Sequence, residues 1–86
     1  MTVEDLYKIT PVGNIIKGTI TQHLPFGFFL NIGINEARGL VLIPTWHQKF
    51  PHYPFPTIGT EVEGIVLDIV ESSMLEVRIL PIFIHS

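Results

Sequence analysis

The sequence predicts an all-β fold, a small five-stranded antiparallel barrel, on three observations. Apolar residues alternate at a period of two in five separate runs, and turn residues divide those runs at short intervals. The one long connection, Thr45 to Ile58, holds Pro51, Pro54 and Pro56, which forbid a continuous helix or a central strand there. Hydrophobic residues make up 47% of the chain and charged residues 15%, with no Cys, so stability must come from one packed core rather than from disulfides or a thiolate metal site. A chain of 86 residues makes a single domain, 1–86, able to bury roughly 60% of its unfolded surface.

Each element follows from local chemistry. Thr2 is placed to cap a short helix over Val3 to Lys8, with Glu4 and Asp5 in its first turn and Val3, Leu6 and Tyr7 along one side. Pro11 and Gly13 break the chain before a first strand, Ile15 to Leu24, that points Ile16 and Ile20 inward and Lys17, Thr19 and Thr21 outward. Gly18 in its middle marks a bulge or a bend of the barrel.

The second strand is central. A Pro25-Phe26-Gly27 turn feeds Phe28 to Ile32, where alternation sends Phe28, Leu30 and Ile32 to the core and leaves Phe29 and Asn31 on the other face. An outward aromatic with Phe26 in the adjoining turn offers two rings for stacking; the competing reading makes Phe29 a cap on one barrel end.

Ile34 to Ala37 makes a hairpin connection into a third strand, Arg38 to Ile43, ended by Pro44. Gly59 opens the fourth, Thr60 to Ile69, and Glu71-Ser72-Ser73 turns the chain into the fifth, Leu75 to Leu80. Pro81-Ile82-Phe83-Ile84 is then left as an apolar tail, expected to pack on the barrel or to meet a second copy or a partner. The expected core is Ile16, Ile20, Phe28, Leu30, Ile32, Val41, Ile43, Val62, Val66, Leu75 and Val77.

Several function classes have no support. No apolar stretch approaches the ~20 residues of a membrane helix, and the start at Met1 has neither a basic region nor a long apolar run of a secretory signal, so a cytoplasmic protein without membrane partners is expected. His47 and His52 lie five apart in a loop, and His23 and His85 belong to other segments, so no metal site is expected. No serine–histidine–acid arrangement, phosphate loop or close acid pair is legible, and neither enzyme activity nor a cofactor is expected. The net charge of −3 is unevenly spread. Lys8, Lys17, Arg38 and Lys49 against Glu4, Asp5 and Glu36 make the first 60 residues +1, whereas Glu61, Glu63, Asp68, Glu71 and Glu76 against Arg78 make the remainder −4. Any anion-binding face should therefore lie on the first three strands.

From about Gly13 to Leu80 the chain resembles the RNA-binding domain repeated in the large ribosomal protein S-one, an oligonucleotide-binding (OB) fold. The resemblance is carried by Gly13, Gly18, Phe26-Gly27-Phe28-Phe29, Gly39-Leu40-Val41-Leu42, Gly59-Thr60-Glu61-Val62 and Leu75-Glu76-Val77, in the family's order and spacing. It implies base stacking on Phe26 and Phe29, with Asn31 beside them. It also implies a short helix in the long connection, where Trp46 coincides with a residue that plugs the barrel end. Departures fall at family RNA positions: Leu42 stands where a His is common, Val70 where an Asp is common, Met74 in place of a basic residue and Thr19 in place of a frequent Lys. Phe26-Gly27-Phe28-Phe29 is also similar to the core motif of the cold-shock family, although the Lys and Gly that precede it there are missing.

The expected function is therefore a non-catalytic module that binds RNA or other single-stranded nucleic acid weakly and with low sequence specificity. Phe26, Phe29, Asn31 and Arg38 would carry it, helped by Lys17 and Lys49, since rings stack bases while cations hold the backbone. The alternative is a protein-interaction module or homodimer on the same barrel, contacting its partner through Leu42, Phe50, Tyr53, Phe55 and Phe83.

Overall fold

The five runs fold as strands β1 (Ile15–Leu24), β2 (Gly27–Asn31), β3 (Ala37–Leu42), β4 (Glu61–Glu71) and β5 (Leu75–His85), preceded by helix α1 (Val3–Ile9) and interrupted by helix α2 (Ile43–Lys49). The computed structural model describes residues 1–85. The strands close into one barrel in the order β1-β2-β3-β5-β4. Four of the five strand interfaces are antiparallel and β3 runs parallel to β5, with Arg38 opposite Glu76 and Leu40 opposite Arg78. Periodicity within each strand says nothing about that closing pair, which the arrangement of the whole chain determines.

Alternation sets the core. Ile20, Phe28, Leu30, Val41, Val62, Val66, Leu75 and Val77 are buried as expected, and Ile16 and Ile32 pack against them half-buried. Ile69 and Ile79 join from the same strand faces, Leu6 enters from α1 and Trp46 from α2. Ile43 does not belong to that core: it is the first residue of α2, because Pro44 falls at the start of a helix, where its missing N–H costs nothing, rather than at the end of a strand. Trp46 is wholly buried and plugs the barrel, its ring 5.6 Å from that of Phe28.

Two further expectations change. The bulge in β1 is at Thr21, the residue skipped between the pairs Ile20–Leu30 and Gln22–Phe29. Gly18 is instead buried at an inward position, where its missing side chain leaves room for Leu30 and Ile32. The apolar tail packs on the barrel, as expected, but does so as a continuation of β5. Pro81 lies opposite Gly64, Ile82 bulges out, and Phe83, Ile84 and His85 pair with Glu63, Val62 and Glu61 of β4. Pro81 is tolerated in a strand because β3 pairs with β5 only along Leu75 to Arg78, which leaves the later part of β5 an open edge.

Candidate nucleic-acid interface

Alternation along β2 fixes the candidate site. Phe28 is 2% exposed, and its neighbour Phe29 stands half-buried on the outer face, opposite Leu40 of β3 and Gln22 of β1. Arg38 shares that outer parity on β3, two residues before Leu40. Its guanidinium lies over the Phe29 ring with Cζ 3.6 Å from the centroid, a cation–π contact.

The same guanidinium is ion-paired. Glu76 faces Arg38 across the parallel β3–β5 pair, and its Oε2 accepts hydrogen bonds from Arg38 Nε at 3.1 Å and Nη2 at 2.6 Å. Ser72 Oγ donates to the same carboxylate oxygen at 3.2 Å, and Ser73 Oγ lies 3.5 Å from Arg38 Nη2. Short, charge-assisted contacts in a partly buried setting hold both side chains in one geometry.

The other predicted residues are more dispersed. Phe26, 53% exposed, sits in the turn before β2, where its carbonyl accepts from Ile43 N–H at 2.9 Å. Asn31 is exposed at the end of β2, where its Oδ1 accepts from Gly33 N–H at 2.9 Å and so shapes the turn that follows. Lys17 lies across β4 on the far side of β1, 3.7 Å from Glu61 and 3.9 Å from Glu63. Lys49 is exposed in the last turn of α2. The structure thus brings Phe29 and Arg38 together and leaves Lys17 and Lys49 elsewhere.

The charge division along the chain does not carry over into the fold. Barrel closure places β4 beside β1 and β5 beside β3, so that Lys17 meets Glu61 and Glu63, Arg38 meets Glu76, and Arg78 meets Asp68 at 3.2 Å. A charge count along the chain cannot show this, because the pairs join residues far apart in sequence. Glu76, Ser72 and Ser73, which hold Arg38, were not singled out by sequence reasoning for the same reason.

The residues read as partner contacts divide likewise. Tyr53 (54%), Phe55 (46%) and Phe83 (53%) are exposed. Phe50 is not a free contact: it is half-buried, its ring 4.9 Å from that of Trp46, and Leu42 is half-buried where β3 passes into α2. The loop after α2 is tied down from both sides. Phe55 packs edge-on against Phe28, and His23 Nε2–H donates to the Pro56 carbonyl at 2.6 Å. Between this loop and the end of β5 lies a groove of about 560 Å³ lined by Tyr53, Phe55, Ile58 and Ile84 among others.

The family model of the S1 RNA binding domain matches residues 10–57, more than half of the 86. The chain belongs to the S1 RNA binding domain family. The match includes Lys17, Phe26, Phe29, Asn31, Arg38 and Lys49, whereas Glu76 lies outside it. Among solved structures, the S1 chain is similar to the solution structure of GSP13 from Bacillus subtilis, with 24% sequence identity and a TM-score of 0.57, over 79% of this chain and 52% of that one. That likeness concerns the fold, and this chain spans about half of GSP13's length. A search of curated proteins finds no match.

Proposed function

We propose that this S1 domain is a non-catalytic module that binds single-stranded RNA, weakly and with low sequence specificity. The observation that carries the reading is the outward Phe29 with the Arg38 guanidinium over its ring, on the outer face of β2 and β3. Base stacking on aromatic and guanidinium planes contributes ~1–3 kcal/mol per base and tolerates any sequence, because every base has a π-face. Membership of the S1 family supports the same reading. Weakness follows from charge: net −3, with three of the five basic residues already facing carboxylates, leaves little cation to meet phosphate.

The test is a fluorescence-anisotropy titration of a labelled single-stranded RNA. Phe29→Ala should weaken binding by ~1–3 kcal/mol with little change in salt dependence, and Phe26→Ala should act in the same direction. A folded sample that binds no single strand at low salt would overturn the RNA reading. The exposed Tyr53, Phe55 and Phe83 favour a second reading in that event, an apolar protein-docking surface on the same barrel.

A further inference from the structure

A planar guanidinium lying 3.6 Å from the centroid of a phenyl ring leaves no gap for a third planar group between them. The side of Phe29 beneath Arg38 is therefore closed to a base. What is left to a ligand there is the side of the guanidinium turned away from the ring, on a side chain that is 26% exposed.

An arginine on an exposed strand face normally samples many rotamers, so a flat orientation must be imposed from elsewhere. Glu76 imposes it: one carboxylate oxygen accepts from Nε and Nη2 of Arg38 and from Ser72 Oγ, while Ser73 flanks Nη2. The Glu76 side chain is only 12% exposed, and the β3–β5 register fixes it directly across from Arg38. We infer that Glu76 is a positioning residue, holding Arg38 flat on Phe29 so that the outer face of the guanidinium is the shelf on which a nucleobase stacks. The inference rests on the RNA reading above and specifies how that site works. It also changes the expected part played by Arg38. A guanidinium already neutralised by Glu76 contributes stacking, which salt barely screens, rather than a phosphate contact, which salt weakens.

Full-length Glu76→Ala and Arg38→Lys are compared with wild type by titrating a labelled single-stranded oligouridine across a range of salt, with thermal melts as a check on folding. NMR of the free protein follows the Arg38 side-chain protons, which the Phe29 ring current should shift upfield in wild type and release in Glu76→Ala. At high salt Glu76→Ala should bind about tenfold more weakly. Its slope of log affinity on log salt should steepen by about 0.7, because the freed cation now finds a phosphate. Arg38→Lys keeps the charge without the plane and should show a similar loss at high salt. Equal affinity and slope for wild type and Glu76→Ala overturn the positioning role while leaving RNA binding in place. Loss of affinity with an unchanged slope and a matching fall in melting temperature also overturns it, as a merely structural effect. Wild type that binds no oligouridine removes the RNA function itself, and the shelf with it.

Discussion

At Gly27 the second strand has no room for a side chain: a Cβ there would overlap the carbonyl oxygen of Val41 on β3. The residue that starts the strand is thus set by a close backbone approach as well as by the turn it leaves. Gly27→Ala should force β2 and β3 apart and cost ~1–3 kcal/mol, read as a lower midpoint in urea. Leu30→Ala, three residues further on, empties a fully packed position of the barrel and should cost ~2–5 kcal/mol, a large part of a small domain's stability. A variant as stable as wild type at either position would contradict the packing described. Phe28 inside and Phe29 outside were legible from alternation alone. The contact between Arg38 and Phe29 was not, because it depends on which strands become neighbours and on a carboxylate 38 residues away along the chain. Trp46 was legible as a plug only through family resemblance; a single buried aromatic in a proline-rich connection has no period to reveal it.

Prolines mark two of the places where elements departed from their sequence limits; β4, which runs on to Glu71 past the expected Ile69, is a third without one. Pro44 and Pro81 read as stops, yet one lies in the first turn of α2 and the other sits on an open edge of β5 opposite Gly64. In both places the absent N–H has no partner to lose. Amides of Phe83 to His85 should therefore exchange more slowly with solvent than those of His52 to Phe55, measured by hydrogen-exchange NMR. Exchange as fast as in that loop would mean that the end of β5 is not paired with β4. Helix α1 matches its prediction because a local device specifies it. Thr2 Oγ1 accepts from Asp5 N–H at 3.1 Å, and the Asp5 carboxylate accepts from Thr2 N–H at 3.0 Å, a reciprocal capping box. The Thr2 backbone and hydroxyl hydrogen bonds hold the Asp5 carboxyl below its ordinary value. The sign follows from linkage: a lowered pKa in the folded state means stabilisation that is complete above the unfolded value and is lost as pH falls through the folded one. Helix α1 should then fray under acid before the barrel opens. An Asp5→Asn variant should flatten that acid dependence in NMR shifts of Val3 to Leu6.

Over the whole molecule, closure of the barrel decides how charge is used. The chain separates a slightly basic first part from an acidic second part, and the barrel then zips one against the other. Lys17 illustrates the result, lying within 4 Å of both Glu61 and Glu63 while His85 of β5 approaches the same two carboxylates at 3.9 and 3.6 Å. These groups are substantially exposed, so the pairs add little to stability, about 0–1 kcal/mol each. Their effect on a polyanion is larger, because they neutralise the cation that would otherwise meet it. For wild type, with Lys17, Arg38 and Arg78 already facing carboxylates, the slope of log affinity on log salt should be shallow, no steeper than about −2 with the single-strand coefficient of ~0.7 per phosphate. Replacing Glu61 and Glu63 together by Gln changes the net charge from −3 to −1 and frees Lys17. Binding at low salt should then tighten and the slope should steepen by about 0.7, with a thermal melt close to that of wild type. Arg78→Ala, on a different row of the barrel and paired with Asp68, serves as the contrast: it removes a cation and should weaken binding at low salt only if that face also touches the strand. A slope unchanged by Glu61→Gln and Glu63→Gln would place Lys17 outside the path of the RNA. The interaction would then rest on the stacked pair of β2 and β3, with Lys49 carrying the salt dependence that is left.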